Sequence, residues 1–423
     1  MKIKVTDKDY SEVIKIKPEK REKPKKQSSL ARWILKIASA GEVKAVDFSL
    51  NKVGMDKLGK DEPALFLMNH SSFTDLCIAA DMLKDRQYHI VTTNDGFIGK
   101  NALMRWIGCM PTKKFIVDMT LVKDMKYCFE KLRSSILMFP EASYSFDGSG
   151  TPLPDSLGKF IKIIGIPVVM IFTEGAYLRD PLYNNLQKRK AKVTSTMTYR
   201  LSPEDIKNMS ADEINKVLAN DFSYDHFRSQ KDKGVIVGES FRADGLNRPL
   251  YKCPFCNTEG KMVGAGTIIK CNACGVETEL KEDGTLCTRE KDTPFSYVTD
   301  WYKWERECVA KEIEEGKYEM ELDVDILMLA DMKSMYRVGE GHLSHSVNGF
   351  VLTGCDGRLN YVQKPKASYG LYSDYYWYEI GDMISIGDSE YQYYCFPKDQ
   401  KGAIVAKARL ATEELYKKAT KRN

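Results

Sequence analysis

The stretch MNHSSFTDL holds the residues most able to do chemistry. His70 follows an apolar run, PALFLM at 63–68, and Asp75 lies five positions later. In one continuous helix, five residues turn two side chains about 140° apart, onto different faces. They meet only if His70 sits in a strand-to-helix turn and Asp75 in the first helical turn. An imidazole oriented by a carboxylate is a general base for an alcohol, because the acid fixes the tautomer and stabilises the imidazolium that forms. Ser72 and Asp75 also match a capping box, in which Asp75 only reaches back to the Ser72 backbone. The residues alone leave both readings open.

A second constellation is Cys253, Cys256, Cys271 and Cys274, two C-x2-C pairs with fourteen residues between them. Four thiolates at this spacing suit tetrahedral zinc, and their closed coordination makes the ion structural rather than catalytic. Few apolar residues surround them, so this zinc ribbon is expected to fold only with its metal. No basic and aromatic cluster accompanies the cysteines, and nucleic acid is not an expected partner. His89, His226, His342 and His345 have no partner at catalytic spacing. His342 and His345 read as turn residues rather than a metal-binding pair.

Three further motifs follow the His70 stretch in order: GCMPTKKF at 108–115, FPEAS at 139–143 and IPVV at 166–169. The ordered set resembles the glycerophospholipid acyltransferase family, typified by 1-acyl-glycerol-3-phosphate acyltransferase, over about residues 46–245. The resemblance implies that His70 deprotonates an acceptor hydroxyl, which attacks an acyl thioester carried by acyl carrier protein or coenzyme A. It also implies that Asp75 orients His70 and that Glu141 holds the acceptor or organises the site. Phe139, Pro140 and Ser143 would shape the turn carrying Glu141, and Lys113 or Lys114 would bind the acceptor phosphate. Backbone amides at the start of the helix after His70 are the natural oxyanion donors.

This sequence departs from the family's FPEGTRS, reading FPEASYS, with Ala142 for Gly, Ser143 for Thr and Tyr144 for Arg. A tyrosine donates one hydrogen bond where an arginine would grip phosphate in two, and a lysine binds phosphate as a point charge. Lysophosphatidic acid is the leading acceptor and another lysophospholipid the next. The competing class is a non-catalytic lipid- or protein-binding factor that retains the fold.

Positioning such residues takes a large scaffold, and 423 residues allow two or three domains. The composition, 43% apolar and 29% charged, is globular, and a net charge of +5 is too mild to name a partner. Eleven cysteines, several alone on apolar stretches, fit a reducing compartment. Neither a signal-like N-terminus nor an apolar run of about 18 residues is present, so the expected location is cytoplasmic and peripheral on the inner face of the membrane.

Residues 1–45 read as a basic tail and an amphipathic helix. Lys15 to Lys26 carries seven basic side chains with Pro18 and Pro24, and SSLARWILKIASAG places Leu30, Trp33, Ile34 and Ile37 at helical spacing. Ser28 or Ser29 would start that helix and Gly41 end it. A basic run before an apolar stripe with a Trp is the pattern of an interfacial membrane anchor. Residues 46–245 alternate short apolar runs with helix-like segments, an α/β acyltransferase domain. The zinc ribbon spans 248–290. Residues 292–423 begin with a helix, continue as a strand-rich domain that resembles a pleckstrin-homology-like barrel, and close with a helix. No nucleotide-binding signature appears, and zinc is the only cofactor implied.

Overall fold

The computed structural model describes residues 3–17, 22–116, 118–289, 291–400, 402 and 404–420. Pro18 to Arg21 of the basic run lie outside the described residues. A seven-stranded sheet carries the first half of the chain. Its order is Ser49–Val53, Thr194–Leu201, Val168–Glu174, Leu65–Met68, Ser135–Met138, Tyr88–Thr93 and Cys109–Thr112. All neighbours are parallel except Thr194–Leu201 against Val168–Glu174. A strand covered on both faces reads as an unbroken apolar run. Accordingly Phe66 and Met68 pack into one core with Ile78 and Val169, while Leu65 and Leu67 pack into another with Met125 and Ile161.

Register sets the site. Leu65 pairs with Ile136 and Leu67 with Met138, an offset of 71 residues. Carried past the strand ends, that offset brings residue 70 level with residue 141. The helix Thr74–Met82 begins directly after the 65–68 strand, at the carboxyl ends of the parallel strands, where open α/β sheets place their ligands.

The expected zone 1–45 is not one unit. Val5–Asp7 pairs in parallel with Met335–Arg337 of the C-terminal sheet, Val13 is buried, and Asp9 forms an ion pair with Arg358 at 2.8 Å. The helix starts at the Ser28 cap as expected but runs Ser29–Ala45, past Gly41. Beyond that glycine Glu42 meets Arg179 at 2.9 Å and Lys188 at 2.5 Å, which ties the last turns to the sheet domain. Burial alone would raise the Glu42 carboxyl, but these two cations hold it down to about 2. Ala31 is fully buried, whereas Leu30, Trp33 and Ile37 are more than half exposed.

Around the cysteines is a four-stranded antiparallel sheet of Met262–Ala265, Ile268–Cys271, Glu277–Leu280 and Leu286–Thr288, with Cys271 ending a strand, Cys274 in the turn after it, and Cys253 and Cys256 ahead of the sheet. Helix Val298–Glu314 leads into seven antiparallel strands between Glu319 and Pro397. The two end strands, Leu359–Gln363 and Tyr372–Trp377, do not pair, so this sheet is an open path. Helix Val405–Thr420 packs on both the 298–314 helix and the 372–377 strand. The expected boundaries near 245 and 292 do not divide the core. One apolar cluster joins Phe146 and Tyr177 of the first domain, Cys253 and Ile269 of the cysteine sheet, and Trp301, Ile326 and Leu410 beyond it. No helix among the described residues is long and apolar enough to cross a membrane.

Candidate active site

His70 occupies the turn and Asp75 the first turn of the helix, and the two side chains meet. His70 Nδ1 lies 3.0 Å from Asp75 Oδ2. The same oxygen accepts the amides of Ser71 at 2.7 Å and Ser72 at 3.0 Å. Asp75 is thus both the imidazole's partner and the brace of the helix start, so the two sequence readings hold at once. A carboxylate partner makes Nδ1 the protonated nitrogen and leaves Nε2 as the base. Nε2 has no hydrogen-bond partner among the described residues, and the side chain keeps 13% of its surface exposed. Phe139 and Tyr144 flank the ring, each with centroids 4.0 Å away. Burial lowers the His70 pKa, Asp75 opposes that shift, and the Lys114 charge adds to it. His70 is therefore neutral, and able to accept a proton, at pH 7.

Glu141 lies where the register puts it, and both of its oxygens are engaged. Oε2 accepts the His70 amide at 2.9 Å, and Oε1 accepts the Thr151 amide at 2.8 Å and hydroxyl at 3.2 Å. The Tyr224 hydroxyl donates to both, at 2.9 and 3.1 Å. Of the two roles expected for Glu141, this geometry is that of a brace for the His70 turn rather than of a group reaching for an acceptor. Burial pushes its pKa up to about 7 against those hydrogen bonds.

The FPEAS turn is buried at Pro140 and Ser143. Ala142, on the family's Gly position, has φ of 55°, a left-handed conformation that costs an alanine about 1 kcal/mol. Ser143 does not present its hydroxyl to an open site. That oxygen accepts the Arg409 guanidinium at 2.7 Å, and the same guanidinium donates to the Tyr144 carbonyl at 3.0 Å.

The two lysines differ. Lys113 donates to the carbonyls of Asp388 at 3.4 Å and Ser389 at 2.5 Å, so its ammonium is held by the C-terminal sheet. Lys114 lies 4.0 Å over the Tyr372 ring. Below it the Tyr372 hydroxyl and Trp377 indole donate to buried Asp95 at 2.5 and 3.2 Å. The oxyanion expectation needs correction. The amides of Ser71 and Ser72 serve Asp75, that of Thr74 serves the Ser72 hydroxyl at 3.1 Å, and that of Asp75 the Ser72 carbonyl at 3.2 Å. Among the described residues, the Phe73 amide has no hydrogen-bond partner.

Sequence reasoning missed His226, which is buried with Nε2 3.0 Å from the Ser71 hydroxyl, as well as Tyr224 and Arg409. All three reach the site from more than 80 residues away, and no local spacing announces them. His342 and His345 do not converge. His345 is buried against the Tyr318 hydroxyl, while His342 meets Glu321 and Asp323 at the surface.

The four cysteine sulfurs lie within 4.8 Å of one another, with 3.7 Å between Cys253 and Cys274 and between Cys256 and Cys271. A zinc–sulfur bond of about 2.3 Å gives a tetrahedron whose edges are about 3.8 Å, so the donor set fits such an ion.

An acyltransferase family model matches residues 49–180. Among solved structures the chain is similar to the 1-acyl-sn-glycerophosphate (LPA) acyltransferase PlsC from Thermotoga maritima. That similarity stands at 16% identity and a TM-score of 0.36, over 48% of this chain and 80% of that one. A search of curated proteins gives no match.

Glu141 makes a pH-dependent prediction. An unfolded glutamate titrates near 4.5 and the folded one near 7, so the unfolded chain releases the proton first. The stability that a protonated Glu141 contributes is full below pH 4.5 and is lost as pH rises to about 7. The thermal midpoint of wild type minus that of Glu141→Gln should therefore fall across this interval and level off above it. A constant difference in melts taken at several pH values would show that Glu141 does not titrate this way.

Proposed function

Residues 49–180 form an acyltransferase-family domain, and from that premise we propose that the chain moves an acyl group from a thioester to the hydroxyl of a lysophospholipid. The acceptor we favour is 1-acyl-glycerol-3-phosphate, giving phosphatidic acid, with coenzyme A or acyl carrier protein as the donor's carrier. The observation that carries the proposal is His70 held by Asp75 at 3.0 Å with Nε2 unengaged. In this scheme Nε2 takes the acceptor's hydroxyl proton as that oxygen attacks the thioester carbonyl. The tetrahedral intermediate collapses, the carbon–sulfur bond breaks, and the imidazolium returns the proton to the departing thiolate. Asp75 holds the tautomer throughout. Phe73 N–H is the helix-start donor left for the oxyanion.

Lys114 is the cation beside His70, and we assign it to the acceptor phosphate. Lys113, held by two carbonyls, has the lesser part. With Tyr144 in place of arginine, a lysophospholipid with a phosphodiester head group is the alternative acceptor. In an acyl-transfer assay on a panel of lysolipids, His70→Ala should lower turnover by more than ~100-fold. Lys114→Ala should raise the acceptor KM far more than Lys113→Ala. No product with any acceptor, or equal activity in His70→Ala, would leave a non-catalytic lipid- or protein-binding factor.

We further propose a structural zinc ion on Cys253, Cys256, Cys271 and Cys274, the chemistry a closed set of thiolates serves. Elemental analysis should find one zinc per chain. Chelation should lower the thermal midpoint, and added zinc should restore it. Purified protein without metal, or a midpoint indifferent to chelator, would remove the ion.

Contact with the membrane is the last part of the proposal, peripheral and on the cytoplasmic face. The exposed Leu30, Trp33, Ile34 and Ile37 lie on a helix packed against Thr74–Met82, whose end offers exposed Phe73 and Leu76. Phe73 in turn contacts Tyr144 at 5.1 Å, so the apolar surface reaches the catalytic turn. Replacing Trp33 and Ile37 by Ser should weaken binding to anionic phospholipid vesicles about tenfold or more. Unchanged sedimentation with vesicles would sink this contact.

A further inference from the structure

The loop that follows Glu141 is held from the far end of the chain. Arg409, in the middle of helix Val405–Thr420, is 3% exposed. Its guanidinium donates to the Ser143 hydroxyl at 2.7 Å and to the Tyr144 carbonyl at 3.0 Å. The Phe146 ring lies 4.3 Å from its carbon centre and stacks on Tyr375 of the C-terminal sheet at 4.2 Å. Glu413 and Arg306 complete the surroundings. One buried cation thus takes hold of two consecutive residues of the turn, immediately after Ala142 in its left-handed conformation. On the other side, the Ser145 amide donates to the His70 carbonyl at 3.1 Å. Between these two fastenings stands Tyr144, whose ring covers His70.

We infer that Arg409 is a positioning residue of the acyl-transfer site: from the C-terminal helix it fixes the 142–144 turn so that Tyr144 stays packed on the imidazole of His70. The inference rests on the proposed reaction for its kinetic consequence, but not for its structural one. A non-glycine residue in the left-handed region relaxes out of it unless its neighbours hold it. The bidentate grip on Ser143 and Tyr144 supplies that hold, and a lysine, with a point charge and no fork, cannot reproduce it. Losing the hold lets Tyr144 lift and water reach the ring.

The groups around His70 are Asp75 on its own turn, Lys114 from the loop after Cys109–Thr112, and Glu141 and Tyr144 from the FPEAS turn, with Tyr224 behind Glu141. Changing Arg409 to Lys or Ser143 to Ala replaces none of these groups and moves only the turn that carries Tyr144. Burial under the two aromatic rings is then the quantity that changes, and burial is what lowers this imidazole's pKa.

The chain has five histidines, so each ring can be followed by NMR on full-length protein with labelled histidine, using His70→Asn for assignment. In wild type His70 should titrate below 6.5. In Arg409→Lys and in Ser143→Ala it should move up toward 6.5, while buried His345, which packs on Phe350 away from the loop, stays near 3. Turnover should drop about tenfold with the acceptor KM within about twofold, the pattern of lost positioning rather than lost binding. An unmoved His70 in both folded variants overturns the inference. So does a parallel rise of His345, which would mean general loosening. If wild type transfers no acyl group to any acceptor, the proposed reaction fails while the titration still decides the role of Arg409.

Discussion

One oxygen organises the site. Asp75 Oδ2, itself fully buried, accepts from the His70 imidazole and from the amides of Ser71 and Ser72, all within 3.0 Å. Those three bonds fix the turn between the 65–68 strand and the helix after it, and they fix the tautomer of the His70 imidazole. A buried carboxylate with fewer donors would be far more costly. Its neighbours yield accordingly. Burial and the proximity of Asp75 push Asp180 up to about 7, and burial does the same to Glu141, so both retain protons where an ordinary carboxyl has none. Three acids surround the turn, and the hydrogen bonds single out Asp75 as the one that meets the imidazole.

Much of this was legible because it is local or parallel. An apolar run, a His, and an Asp at the start of a helix state a strand–turn–helix, and the structure has it over Leu65–Met82. Glu141 was legible as a partner because parallel strands repeat one arrangement at a constant offset, so two strand-end motifs meet at the same level. The cysteines were legible because C-x2-C spacing is itself geometry. What stayed hidden is long-range packing of the second half on the first. Lys113 looked like a free cation in its motif, and only the backbone of residues 388 and 389, about 275 positions away, shows it engaged. The amides at the helix start looked like a set of oxyanion donors, but Asp75 takes those of Ser71 and Ser72 and the Ser72 hydroxyl takes that of Thr74. Val5–Asp7 looked like the start of a tail, because a three-residue edge strand carries too little pattern to be seen.

The departures from FPEGTRS gain a physical sense in this setting. Arginine at position 144 would bring a flexible cation to the mouth of the site. Here the position holds a ring that packs on His70 and on Phe73, and the guanidinium near the turn comes from Arg409, buried and turned to the backbone. The cation held at this turn shapes the loop. The free positive charge left beside His70 is Lys114, and it shares its surroundings with Asp374, a buried acid pushed up to about 7. That buried acid beside the ammonium limits how much positive charge the pocket presents.

The cysteine sheet belongs to the same construction. Lys252, beside Cys253, gives its carbonyl to the Trp301 indole at 2.9 Å and its amide to Glu305 at 2.7 Å, which seats the 298–314 helix. Glu259 between the two cysteine pairs meets Lys407 at 2.7 Å, and Glu312 of the 298–314 helix meets the same ammonium at 2.8 Å. Lys407 lies two residues before Arg409 and is almost fully buried, so these acids set the height at which the last helix docks. Ion pairs at that depth contribute little net stability, but they disfavour any register in which a charge is left alone. One turn of slippage would carry Arg409 about 5.4 Å from Ser143 and end its grip. Glu259 follows the first cysteine pair and meets the last helix through Lys407, and that helix holds the turn over His70 through Arg409. The four thiols therefore stand at the head of a chain of contacts that ends beside the catalytic turn of the domain matched by the acyltransferase family model.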